Sequence, residues 1–305
     1  MPFLPVAPPQ PVAVYSGFDY MTADAQRHRV YAAHSGNRSL LVVNADDGRV
    51  VGQVRAGVLH GVAVNPENGH VYTGSGEPAD VSEVDPVALK VVASVKVAGP
   101  VDAIAYDPSL HRIYAAEDDG TRMFIIDALT MKQTGTVALP PGGPESFAIE
   151  PATRRVYLNI KELGAFVIID PQSLEVVQTV KTPELKSNHP LQIDPLLQHL
   201  YIAGENGVLS TYDLAGRLLS QIPFAAGVDQ CDLDGERHLL VCAGNGGVTV
   251  FHDAGADGVS VVGTRRIAPG VHTVAVDAQN GTFWVVWARR QEMGGAFVQG
   301  FHETQ

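Results

Sequence analysis

The chain has 305 residues, with 33 acidic against 21 basic side chains and a formal net charge of −12. That balance argues against a nucleic-acid or anionic-membrane partner. No apolar run reaches the length of roughly eighteen residues that a transmembrane helix needs. The opening stretch, MPFLPVAPPQ, lacks the basic head and apolar centre of a secretory leader. As written it therefore reads as cytoplasmic, or as periplasmic or secreted if a leader has been removed.

Gln10 to Tyr15 reads as a short strand with no partner nearby in sequence. From Asp19 onward a unit repeats every 40–44 residues, a period that points to propeller blades. The third unit shows the pattern well. Asp102 to Tyr106 alternates, Asp107-Pro108 opens a turn, and Arg112 to Ala116 forms a second strand. Met123 to Ile126 forms a third strand, and Met131 to Val137 a fourth. Tyr31, Tyr72, Tyr114, Tyr157 and Tyr201 mark the second strand in five units, with Val241 and Trp284 in the other two. These positions are expected to pack between blades. Asn44, Asp85, Asp127, Asp170, Asp213 and Asp253 end the third strands and are expected to cap the following turns. Cys231 and Cys242 fall on the first two strands of the sixth unit. Two cysteines are too few for a disulfide scaffold, so they read as buried thiols, with pairing or ligation as alternatives. The seventh unit stops after a third strand near residues 296–301, so residues 10–15 are expected to supply its fourth strand and shut the ring. The whole chain, residues 1–305, thus reads as one all-β domain: a seven-bladed propeller of four-stranded antiparallel blades.

One position per unit carries the chemistry. The first strands open on Asp19, His60, Asp102, Glu145, His189, Asp229 and His272. In a propeller these strands line the central channel, so the seven side chains form one ring, about 51° apart by seven-fold symmetry. The histidines fall in blades two, five and seven, the most even spread that seven positions allow. His60, His189 and His272 are therefore expected to hold one divalent transition metal, Zn, Fe, Mn, Ni or Cu, with Glu145 as a fourth ligand or general base. Asp19, Asp102 and Asp229, together with Glu145, are the candidate catalytic carboxylates, and the aspartates can also fix an imidazole tautomer. A metal-free acid–base site and a merely solvated lining are the competing readings of the same ring. The loop from Trp287 to Gly295 lies beside His272. Arg289 or Arg290 there is expected to hold an acidic substrate, and Trp287 or Phe18 to stack on it. His34 belongs to the same mouth.

The segment Gly61 to Pro66, followed by Val71-Tyr72 and Val84-Asp85, resembles the YVTN repeat of the YncE-like seven-bladed propellers. The resemblance covers almost the whole chain and implies architecture rather than activity, since that fold hosts enzymes, binding modules and structural proteins. Looser parallels exist with gluconolactonase-like propellers, which hold a divalent cation in the channel, and with virginiamycin B lyase-like propellers, which use a channel-mouth histidine and Mg²⁺. The three ring histidines depart from the amide-and-carboxylate set of the lactonases. The expectation is a metal-dependent enzyme acting on a small organic substrate at the channel mouth, as a lyase, a hydrolase or lactonase, or an oxidative enzyme. The alternative is a non-catalytic scaffold for protein or peptide partners. Oligomeric state is not legible in the sequence.

Overall fold

In the computed structural model, which describes residues 3–12, 17–288 and 295–303, 28 strands form seven sheets of four. In six sheets four consecutive strands pair as antiparallel neighbours, and in the seventh the outermost place is taken by the first strand of the chain. The starts of the innermost strands line one axial cavity. The second and third strands are sandwiched between adjacent blades, so they bury both faces and read as apolar runs. Ile113–Ala116 and Met123–Ile126 are buried without a break. The outermost strands meet solvent on one side and alternate, as Lys90–Lys96 does. The second-strand aromatics fill the spaces between blades: Tyr31, Tyr72, Tyr114, Tyr157, Tyr201 and Trp284 are all buried. The turn-capping expectation holds as well. Asp85 accepts from the Val87 and Ala88 amides at 2.9 Å, Asp170 from those of Gln172 and Ser173, and Asn44 from that of Asp46 at 2.7 Å.

The ring closes as expected. Gln10–Val12 pairs antiparallel with Ala296–His302, with Gln10 opposite Val298 and Val12 opposite Ala296. The contact extends further toward the start of the chain. Pro5 bridges to Phe301, and the Val6 amide donates to Gly300 O at 2.9 Å. Phe3 is fully buried against Phe283. Residues 13–15 of the expected closing strand lie outside the described residues.

One reading of the sequence is corrected. Cys231 and Cys242 are joined as a disulfide rather than standing as free thiols. They sit directly opposite each other on neighbouring strands, with Cα atoms 4.0 Å apart, so the ladder register itself brings the sulfurs together. Among the described residues no helix is long and apolar enough to cross a membrane.

Blades six and seven meet at a buried carboxyl. Glu303 is 1% exposed, and among the described residues neither carboxyl oxygen has a hydrogen bond of good geometry. Burial first, then the Asp234 carboxylate, push it up to about 8. Because the folded value lies above the unfolded one, the native state holds the extra proton, and stability must fall as pH rises from about 4.5 toward about 8. Glu303→Gln should abolish that decline, gaining a few kcal/mol over the native chain at pH 8 and little at pH 4. Urea unfolding at several pH values reads the difference. Parallel pH profiles for the two proteins would show that this carboxyl is not the cause.

Candidate metal and acid–base site

Local backbone irregularity aims the ring residues. In blades two to six the pairing between first and second strands shifts register at the ring position: between Leu59 and Val62, Val101 and Ile104, Pro144 and Phe147, Asn188 and Leu191, and Val228 and Gln230. His60, Asp102, Glu145, His189 and Asp229 sit in these bulges, which turn their side chains out of the ladder and toward the axis. In blades one and seven the regular first strands begin at Met21 and Thr273, just after Asp19 and His272. All seven ring residues line a single cavity of about 230 Å³, together with Tyr20, Asp118, Gln230 and Thr273.

The ring divides into two halves. Blades one to three supply Asp19, His60 and Asp102, and one donor atom from each lies within 4.8 Å of the others. His60 Nδ1 donates to Asp19 Oδ2 at 2.7 Å. This bond is the main reason the imidazole is held above its ordinary value, against the opposing effect of burial. Gly76 leaves the space that the ring occupies, since a Cβ there would stand 3.0 Å from His60 Nε2. Asp102 is pushed well above the usual carboxylate range by burial, then by Asp19, Glu145 and Asp118.

Blades four to seven supply a chain of alternating charge. Lys161 Nζ donates to Glu145 Oε1 at 2.5 Å. His189 Nε2 stands 3.8 Å from both Glu145 Oε1 and Asp229 Oδ1, and His272 Nδ1 donates to Asp229 Oδ2 at 2.5 Å. Burial raises Glu145, while His189 and Lys161 pull it back. Burial is the largest single influence on His272 and opposes its charge, but the hydrogen bond to Asp229 and the negative charges of Asp229 and Asp19 together outweigh it and leave the imidazole raised.

The structure thus brings every expected ring residue to one cavity, but not the three imidazoles to one point. Among the described residues, the set that meets metal-ligand spacing is two carboxylates and one histidine from neighbouring blades. His189 and His272 are turned toward Glu145 and Asp229 instead. The aspartates do engage imidazole Nδ1 atoms, as the tautomer argument expected. Of the expected substrate contacts, Phe18, His34 and Trp287 are placed in packing. Phe18 stacks on the fully buried His34 with ring centroids 4.2 Å apart, and Trp287, 3% exposed, stacks on Phe297. None of the three lines the ring cavity. Arg289 and Arg290 lie outside the described residues.

Lys161 is a functional residue that the repeat of ring positions does not single out. Its signal is positional: it follows the second strand of Glu145's own blade, where its amide donates to Gly143 O at 2.9 Å, beside the acidic bulge. Three of the histidines off the axis are held in ion pairs. His70 pairs with Glu83, His199 with Asp253 and His238 with Asp194, each at 2.6 Å.

No family model matches the chain, and no curated protein does. The YVTN resemblance therefore rests on the repeat pattern alone. Among solved structures the chain is similar to hydrazine synthase from Kuenenia stuttgartiensis, at 16% sequence identity and a TM-score of 0.82. The match covers 95% of this chain and 97% of that one. At that identity the likeness establishes the fold and leaves activity to the site: the chain is a seven-bladed β-propeller with a candidate metal-binding triad at its axis.

Proposed function

We propose that this propeller is a metal-dependent enzyme that acts on a small organic substrate at the mouth of its central channel. The observation that carries the reading is the grouping of Asp19, His60 and Asp102, whose donor atoms share a 4.8 Å neighbourhood inside a ring where carboxylates otherwise repel. A divalent ion there compensates that repulsion, and when bound it supplies Lewis-acid activation of a carbonyl or of water. One imidazole and two carboxylates make a harder donor set than three imidazoles, which favours Mn, Fe or Zn over Cu.

The other half of the ring moves protons. Glu145, held by Lys161 and facing His189, is the general base or acid, and burial raises it in the direction that task needs. The Asp229–His272 pair carries a second proton on the far side of His189. Lyase, hydrolase or lactonase, and oxidative reactions share this requirement for a metal beside a proton-transfer group.

The test is metal analysis of protein purified without a polyhistidine tag. About one first-row ion per chain is expected, with anomalous scattering placing it between blades one and three. His60→Ala should weaken retention by at least 100-fold and leave the melting temperature of the metal-free protein within a few degrees. A chain that takes up no first-row metal under any loading condition would leave the scaffold reading as the better one.

A further inference from the structure

The residue after each ring position is small in five blades: Gly61, Ala103, Ser146, Pro190 and Thr273. At Gly61 the blades approach so closely that a Cβ would stand 2.5 Å from Asp102 O. Two blades depart from the pattern, with Tyr20 and Gln230. Gln230 is fully occupied as a clamp. Its Nε2 donates to Met21 O at 3.2 Å, and its Oε1 accepts from the Met21 and Val274 amides and from the Thr273 hydroxyl. It ties blade six to blades seven and one.

Tyr20 has no such duty. Its hydroxyl makes no hydrogen bond among the described residues. Its ring packs against the core between blades one and two and also against the core between blades three and four, so it reaches across the axis. Asp102, Glu145, Asp19 and Asp229, from four different blades, all lie within electrostatic reach of its hydroxyl. It lines the ring cavity of about 230 Å³ and also a second axial cavity of about 140 Å³, whose wall includes Gln192 and Asp232. Among the described residues the two cavities share only Tyr20 and Gln230.

We propose that Tyr20 is the floor of the ring cavity: it closes the channel beneath the carboxylates, limits the size of ligand that the ring admits, and offers its hydroxyl as a hydrogen-bond donor to an oxygen of that ligand. The inference rests on the reading of the ring as a small-molecule site. A phenol carries a hydrogen-bond donor. The Thr273 hydroxyl is already taken by Gln230, so among the described residues that line the ring cavity Tyr20 supplies the hydroxyl with no protein partner. The ligand class that fits is a compact oxygenated molecule of a few heavy atoms, with an acceptor oxygen pointing down the channel.

The test compares the native chain with Tyr20→Phe and Tyr20→Ala. In crystal structures, with or without metal, Tyr20→Ala should join the two cavities into one water-filled channel, and Tyr20→Phe should leave them divided. Acetohydroxamate and benzohydroxamate, titrated into cobalt-loaded protein and followed by visible absorption, give the second measurement. The native chain should prefer the smaller probe at least tenfold. Tyr20→Phe should keep that preference while binding both probes several-fold more weakly, and Tyr20→Ala should lose it. Cavities that stay separate in Tyr20→Ala, or a size preference that survives it, overturn the floor. Equal affinities for the native chain and Tyr20→Phe overturn the donor role. If no variant takes up cobalt, the metal reading fails on its own, and the crystal structures decide the floor.

Discussion

A chain lacking residues 1–12 should melt at least roughly 10 °C below the intact protein and should self-associate. The expectation follows from what those residues do in blade seven. Gln10–Val12 is the outermost strand there, and without it Ala296–His302 becomes an open edge with unpaired amides and carbonyls. The loss is not confined to the ladder. Phe3 is fully buried, edge-on to Phe283 with ring centroids 5.7 Å apart, and its carbonyl accepts from Arg265. Emptying one such aromatic site costs about 3–5 kcal/mol by itself. The backbone bonds from Val6 to Gly300 and from His302 to Leu4 go with it. Thermal unfolding followed by circular dichroism, with size-exclusion chromatography of the same samples, reads both effects. Phe3→Ala separates them, since it should lower stability while leaving the strand edge covered and the protein monodisperse relative to the truncation. An unchanged melting temperature after truncation would mean that the ring holds without its closing strand.

Asp102→Asn should act in opposite directions on the two states of the site. In the metal-free protein the Asp102 carboxylate is opposed by burial and by Asp19, Glu145 and Asp118. A neutral amide of the same shape removes that opposition, so the metal-free variant should melt several degrees higher. If the triad holds an ion as proposed, the substitution removes a charged ligand, and metal affinity should fall by about 100-fold. The pH dependence has a fixed sign. The folded value of Asp102 is raised, so the native state binds the proton more tightly than the unfolded chain, and this group's contribution falls as pH rises above the unfolded carboxylate value. The advantage of the metal-free variant should therefore be absent in acid and open as pH rises toward neutrality. Calorimetry with chelator and with added Mn or Zn tests both halves. A metal-free variant less stable than the parent at neutral pH would show that the carboxylate serves the fold and not the ion.

Much of this architecture is legible in the sequence because it is local and repeated. The ring from Asp19 to His272 falls out of a period of 40–44 residues, and the orphan strand at Gln10 falls out of the missing fourth strand at the other end. The turn caps at Asn44 and Asp170 depend on contacts two and three residues away, which a sequence displays directly. What fails is any inference about which way a side chain turns once two blades meet. Angular spacing suggested that His60, His189 and His272 converge. Each instead turns toward a neighbouring carboxylate, because a hydrogen bond to an adjacent blade is made at 2.5–2.7 Å for two of them without spanning the cavity. Phe18 and Trp287 are near the mouth in sequence terms, yet both go into packing, where burying a large aromatic face gains more than exposing it. The Lys161–Glu145 pair and the disulfide are cross-strand contacts whose existence depends on register, and register is set by bulges that the sequence does not announce.

Those bulges have a consequence for how such a protein changes over time. A residue in a bulge is turned out of the ladder by the backbone irregularity around it, so exchanging its side chain leaves the strand-to-strand hydrogen bonds in place. The five bulged ring positions of blades two to six therefore act as sockets in a frame whose strand pairing does not depend on the side chain they hold. Swapping the plug in a socket alters the charge, donor set and proton affinity of the axis while the frame stays the same. New chemistry at this axis is then a short walk of single substitutions, with no passage through an unfolded intermediate sequence.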